Sequence, residues 1–336
     1  MLLAACSAAE PNELDVLEWD GYQDPAFWTD FQTASPDTAV EFSFGISDAD
    51  ILGKMEAGGP DIVHFYTGWQ QFYVDEDLVQ EIDTSKLTNW DKVPDAFKEL
   101  GQIDGKQYYL PWDWGFTSIL YNTAHVDEVT SWDALFDATY DDHVSMWDDG
   151  PAAVAVSSYI HDYDETNLTD EQLAAIEAEW ITQKPLNFLY WTGEYTDFCP
   201  AVESGDIWVA YAWQGCYATV LYSGSQEVAY ANPVEGRNSW VGLYGIAADT
   251  DSYELALQFI DAKLATLTCS NAVTLFYYGC ANQDVMDAIE DPVLIEAFGI
   301  NDPAILESTN FTPLVTDEQR TAWTEMWGRV KAAPLP

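Results

Sequence analysis

Basic residues are scarce in this chain: 11 lysines and arginines stand against 58 aspartates and glutamates, a formal net charge of −47 over 336 residues. That balance excludes nucleic acid as a partner, because phosphate backbones are bound through Lys and Arg. It argues equally against docking on an anionic lipid surface. Long apolar runs are missing too, and none approaches the roughly 20 residues a membrane-spanning helix needs. No Cys-x-x-Cys spacing occurs, which argues against a four-thiolate metal site. The four histidines, His64, His125, His143 and His161, are scattered without ligand spacing and read as structural. Metal: none, and cofactor: none, are the expectations. Neither a Gly-x-Ser-x-Gly elbow nor a phosphate-cradling glycine loop is present, so no enzyme is expected. A secreted glycoside hydrolase, whose two carboxyls need only lie about 5–5.5 Å apart in space, is the most distant alternative.

Aromatic residues, by contrast, are abundant: 15 Trp, 19 Tyr and 15 Phe make up 15% of the chain. Their faces attract cations, a desolvated contact of this kind being worth about 2 kcal/mol. The same rings would stack on sugars, so composition offers two ligand classes, organic cations and carbohydrates. Most of the acids read as a hydrated surface suited to salty water; the sharper reading is an electrostatic funnel for a cation. At 48% hydrophobic residues the chain is globular, and its length suggests two domains with a core in each.

From Leu14 the sequence alternates strand and helix. Strands are expected at Leu14–Trp19, Val40–Phe44 and Asp61–Phe65. A helix opened by Asp24-Pro25 lies between the first two, and one capped by Asp48 and stopped at Gly58-Gly59 between the second and third. Such an order means a parallel sheet with right-handed crossovers, and ligands of such sheets sit beyond the C-terminal strand ends. Trp19, Asp20, Tyr22, Tyr66 and Trp69 all fall there. Further strands are expected at Gly105–Pro111, Thr117–Asn122, Val144–Trp147, Ile207–Trp213 and Trp240–Ala247, with Trp112-Asp113-Trp114-Gly115 between the first two. On a strand Trp112 and Trp114 share one face and Asp113 takes the other. No Gly/Ser-rich spacer separates the halves, as in hinged two-lobed proteins.

Leu3-Ala4-Ala5-Cys6 resembles a bacterial lipoprotein cleavage box. In that family the cysteine becomes the N-terminus and carries a lipid, so Cys6 is the expected anchor and the polar residues after it a tether. Only Leu2 and Leu3 precede Ala4, so the hydrophobic core of a signal peptide is lacking and a truncated start is expected. Without Cys6 four cysteines remain, Cys199, Cys216, Cys269 and Cys280. An even number in an oxidising compartment suggests two disulfides; of three connectivities, the local pairs Cys199–Cys216 and Cys269–Cys280 are the expectation.

An ordered series of landmarks then resembles the periplasmic polyamine-binding proteins of ABC importers, the spermidine/putrescine type. It comprises Leu17-Glu18-Trp19-Asp20-Gly21-Tyr22, Asp61-Ile62-Val63, Ile82–Asn89, Pro111-Trp112-Asp113-Trp114-Gly115 with Tyr121-Asn122, and Val129-Thr130-Ser131-Trp132. The resemblance implies an α/β, two-lobed periplasmic-binding-protein fold. Each lobe would be a mostly parallel sheet flanked by helices, with the ligand in a cleft between them. The expected organisation is 1–13 lipoprotein box and tether, 14–120 plus 241–286 lobe 1, and 121–240 plus 287–336 lobe 2. It further implies a monomer, lipid-anchored at the periplasmic or cell-surface face, that hands a small cation to a membrane permease.

Binding roles carry over to Trp19, Tyr22, Asp20, Asp149, Trp213 and Trp240, and to Tyr277 or Tyr278; Tyr66 stands where the family often has serine. Two anionic positions of the family are Gly242 and Ala152 here. Each buried ammonium needs a carboxylate, since an unpaired buried charge costs several kcal/mol. Spermidine is therefore disfavoured relative to putrescine or another short amine, unless Asp113 or Glu194 replaces a lost carboxylate. A quaternary ammonium compound of the betaine type is the alternative ligand, and a sugar the third.

Overall fold

The computed structural model describes residues 13–191, 198–300, 304–305 and 308–335. Cys6, its tether up to residue 12 and Glu194 lie outside the described residues. In chain order the strands are β1 (Glu13–Trp19), β2 (Ala39–Gly45), β3 (Ile62–Tyr66), β4 (Val79–Gln80), β5 (Gln102–Ile103), β6 (Lys106–Gln107) and β7 (Tyr109–Asn122). They continue as β8 (Val144–Trp147), β9 (Asn187–Trp191), β10 (Val209–Trp213), β11 (Val228–Tyr230), β12 (Asn238–Ala247), β13 (Gly279–Cys280) and β14 (Asn310–Phe311). Two compact units result: unit 1 is Met1–Trp114 with Val241–Ala288, and unit 2 is Gly115–Trp240 with Ile289–Pro336. The chain passes between them inside β7, inside β12 and after Ala288.

Unit 1 is built on β1, which pairs in parallel with both β2 and β3. Alternating burial along Leu14 and Val16 sends one face of β1 inward, whereas β3 is buried along its first four residues, as expected of a strand covered on both faces. The second half of β12 runs antiparallel to β3, with Gly242 opposite Tyr66 and Ile246 opposite Ile62. The helix Asp48–Glu56 between β2 and β3 is capped by Ser47, which accepts from the Asp50 N–H, one residue before the expected cap. Its Ile51, Leu52 and Met55 are buried, at the spacing one helix face requires. A disulfide between Cys269 and Cys280 ties the helix Thr266–Asn271 to β13.

Unit 2 holds the second half of β7, antiparallel to β10. Strand β10 is parallel to β8, and β8 to β9. The apolar helix Gly150–His161 follows β8 directly and buries most of its length, which is why its sequence shows little amphipathic contrast. Capping boxes start the helices Asp170–Gln183 (Thr169 with Gln172) and Asp317–Ala332 (Thr316 with Gln319). The second disulfide, Cys199–Cys216, joins the helices Cys199–Ser204 and Gln214–Tyr222.

Expectation and structure differ at residues 105–122. Trp112-Asp113-Trp114-Gly115 does not separate two strands; it lies within the single strand β7, buried along all 14 residues. The run of bulky residues satisfies a strand covered on both faces, so Trp112, Asp113 and Trp114 are all interior.

Candidate functional site

In unit 1 the C-terminal ends of β1 and β3 bring Trp19 and Tyr66 into a stack with ring centroids 5.2 Å apart, both half-buried. Tyr22 follows in the turn after β1; its hydroxyl lies 3.2 Å from that of Tyr66 and donates to Asp113 Oδ2 at 2.5 Å. Phe276 packs on Tyr22 at 4.9 Å. Burial, with Asp113 next and Tyr278 contributing, holds both Tyr22 and Tyr66 well above the ordinary phenol range, so both remain neutral hydroxyls. Of the two adjacent tyrosines, Tyr278 therefore lies within electrostatic reach of this group. Tyr277 ends its helix in the left-handed region, at φ 57°. Asp20 is exposed and accepts from Gln23 Nε2 at 3.0 Å. Trp69 is buried and packs on Phe72 at 5.6 Å.

Beneath this surface lies a set of four charged side chains, none of them exposed: Glu18, His64, Asp113 and Lys263. His64 Nδ1 bonds Glu18 Oε1, and His64 Nε2 pairs with Asp113 Oδ1 at 3.3 Å. Tyr244 donates to Glu18 Oε2 at 2.6 Å. Burial alone would strip His64 of its proton, but the two carboxylates outweigh it and raise its pKa to about 9. Burial likewise opposes ionisation of Glu18, yet His64, Lys263 and the Tyr244 hydroxyl hold it below the usual carboxylate range. Lys263 is lowered to about 8 by burial, against the pull of Glu18 and Asp113.

Gly242 explains how the set fits. A Cβ there would overlap the Asp113 carboxylate and His64 Nε2, so Asp113 fills the space a side chain at 242 would need. The carboxylate that the resemblance expects at 242 is thus absent, and another stands beside it on the strand β7.

In unit 2 the parallel strands β8, β9 and β10 end in tryptophans. Trp213 meets Trp191 edge-on at 4.9 Å and Trp147 at 5.5 Å, and Trp147 stacks on Trp191 at 5.8 Å. Asp149 follows β8 at the same end and caps the helix Gly150–His161, accepting from the Ala152 N–H at 2.9 Å. Burial raises its pKa to about 6, although the Ala152 N–H and the Arg320 charge act in the opposite sense. Trp240, half-buried, packs against Gly115, where a Cβ would collide with its indole.

No group of three or more His, Cys, Asp or Glu among the described residues could hold a metal ion. No helix among them is long and apolar enough to cross a membrane. The profile of the family described as bacterial extracellular solute-binding protein matches residues 26–290. The chain belongs to that family. This solute-binding protein is 22% identical to the putrescine-binding periplasmic protein PotF of Escherichia coli K12, over 97% of this chain and 93% of that one. It is 27% identical to the spermidine/putrescine-binding periplasmic protein of the same organism, over 78% and 75% of the two chains. Among solved structures, the spermidine/putrescine ABC transporter substrate-binding protein of Streptococcus pneumoniae superposes with a TM-score of 0.79 at 18% identity, covering 95% of this chain and 98% of that one. The α/β fold of this solute-binding protein is that of these two-lobed binding proteins, and its family binds solutes and does not catalyse reactions.

Sequence reasoning missed Trp147 and Trp191, although both end strands, and it missed Glu18, His64 and Lys263 as a group. Glu18 and His64 are each a charged or ionisable side chain inside a run of buried apolar residues. Lys263 closes the inward face of the helix Tyr253–Lys263, after Ala256, Leu257, Phe259 and Ile260. A charge at a core position of the pattern was the available signal.

Proposed function

We propose that this solute-binding protein captures putrescine, or another short polyamine, outside the cytoplasm and delivers it to the permease of an ABC importer, acting as a monomer held by a lipid on Cys6. The ligand-facing residues we assign are Trp19, Asp20, Tyr22, Tyr66 and Tyr278 in unit 1, and Asp149, Trp213 and Trp240 in unit 2. The observation that carries the reading is Asp149. It is a half-buried carboxylate two residues after Trp147, at the strand-end face where Trp147, Trp191 and Trp213 meet, with its ionised form disfavoured by burial. An ammonium beside it recovers that cost through a charge-assisted hydrogen bond, while the indole faces hold the alkyl chain and the cationic methylenes. The polyamine-binding names of relatives that align over most of the chain support the same ligand class.

A thermal-shift screen with putrescine, spermidine, glycine betaine and a maltooligosaccharide tests this. Putrescine should raise the melting temperature, and its affinity should fall with salt, as expected of an ion-paired ligand. A shift with the sugar and none with any cation would overturn the proposal.

A further inference from the structure

Unit 2 holds a cavity of about 630 Å³, a size that suits a small organic molecule. It is bordered by the last turn of the helix Gly150–His161, the segment 162–166 that follows, Glu235 and β14. Asp149 caps the opposite end of that helix, about 13 Å along the axis from Ser158 at roughly 1.5 Å per residue. No lysine, arginine or histidine among the described residues lines the cavity, and the helix end beside it is the negative pole of the helix. Ser158 lines it, is 1% exposed, and its Oγ has no hydrogen-bond partner among the described residues. A buried hydroxyl left so is unusual, because a helical serine can turn to the carbonyl four residues back. Glu235 accepts from the Ser131 hydroxyl through Oε1 at 2.5 Å, while its Oε2 is shielded from water and unpartnered. Glu165, half-buried, has neither a hydrogen bond nor an ion pair among the described residues. Burial, with the neighbouring Asp164, raises its pKa to about 7. Asp164 itself accepts from the Thr166 N–H and hydroxyl.

We propose that this cavity is a second binding site, which takes a primary ammonium on a short apolar body. Glu165 and Glu235 are its anions, the Ser158 hydroxyl accepts an N–H, and the rings of Tyr159, Tyr163 and Phe311 cover the body. The Tyr159 hydroxyl already donates to Asn238 Oδ1 at 3.1 Å, so it is not the missing donor. An ammonium brings three N–H donors and a positive charge. It offsets the desolvation of Glu165 through a charge-assisted hydrogen bond, and ring faces add to its attraction. Other occupants fit less well. An anion would meet carboxylates and the negative end of a helix. A neutral sugar would leave the carboxylate charges uncompensated, and a quaternary ammonium has no N–H for Ser158 or Glu235. No group of three carboxylates, histidines or cysteines among the described residues could hold a metal ion. The site lies wholly within unit 2 and does not depend on the capture of putrescine.

Titration of the 15N-labelled full chain with butylammonium chloride at pH 7.5, followed by amide chemical shifts, tests the proposal. The amides of Ser158, Tyr163 and Glu165 should shift along a saturating curve, and sodium chloride at the same ionic strength should not reproduce it. Glu165→Gln keeps the side chain's shape and should weaken the amine about tenfold, the loss expected for a hydrogen bond to a charged group. Ser158→Ala should weaken it about threefold. No saturating shift at these amides, or the same shifts with sodium chloride, overturns the proposal. So does saturation by calcium chloride with none by the amine, which would make the cavity a metal site. An unchanged amine affinity in a folded Glu165→Gln protein overturns it as well. Should that variant not fold, Ser158→Ala decides, and wild-type affinity there contradicts the assigned contact and the site built on it.

Discussion

The two units treat buried carboxylates in opposite ways. Unit 1 surrounds Glu18 and Asp113 with an imidazolium, an ammonium and tyrosine hydroxyls, so each is paired within the fold. Unit 2 leaves Asp149 half-buried at a helix N-terminus, where burial outweighs the Ala152 N–H and the Arg320 charge and raises its pKa to about 6. An internally paired acid specifies structure. An acid whose charge is disfavoured until a cation arrives is suited to binding. In a chain with 58 acids, this distinction separates function from hydration better than the carboxylates' number does.

The largest test of the contrast is stability. Glu18→Gln strands His64 and Lys263, and breaking a buried ion pair from one side costs about 3–5 kcal/mol. Asp149→Asn keeps a good helix cap and removes a charge that burial disfavours, so at pH 7.5 it should leave the free protein at least as stable as wild type. Chemical denaturation of both variants measures the difference, and equal losses would erase it. Binding should reverse the order: Asp149→Asn should weaken putrescine by roughly 10–100-fold, the worth of a hydrogen bond to a charged group at about 1.5–3 kcal/mol. Titration calorimetry on the two variants reads this directly.

Gly242→Ala sharpens the unit 1 side. Its methyl group must displace Asp113 or His64, and overpacking of this kind costs about 1–3 kcal/mol; a melting temperature equal to wild type would mean the pair yields freely. The smallest effect concerns alkaline pH. The folded pKa of His64 is raised, so its stabilisation is complete below 6.5 and is lost as pH rises through about 9. Lys263 has the opposite sign: its folded pKa is lowered, so its burial penalty is complete below about 8 and is relieved as pH climbs towards 10.5. Between about pH 8 and 9 these slopes offset in the wild type, whereas Lys263→Met should lose stability as pH rises from 6.5 towards about 9 in urea titrations. Parallel profiles would contradict the coupling.

Much of unit 1's frame could be read from residues alone, since β1, β2 and β3 announce themselves through short apolar runs and the aromatic residues that end them. The local disulfide pairings are one of the three connectivities that four cysteines leave open, and the structure forms them. The ion set could not be read so. Its members are scattered from Glu18 to Lys263, and each acid is anonymous among 58. Gly115 lies within β7, and its missing side chain leaves the space that the Trp240 indole takes, a close approach no sequence pattern announces. The resemblance offers Asp149 as a binding carboxylate, and the structure shows it capping the helix Gly150–His161. Capping uses one oxygen, so the two roles are compatible.

The central claim is that an amine is captured through a desolvated carboxylate, and calorimetric titration of putrescine at pH 7.5 and pH 5 tests it most directly. Because the Asp149 pKa is about 6 in the free protein, its carboxylate is ionised at the higher pH and protonated at the lower. Putrescine keeps the same charge at both. One-to-one binding at pH 7.5 that weakens about tenfold at pH 5 is the predicted result. Binding of equal strength at both values, or none at either, would contradict the account.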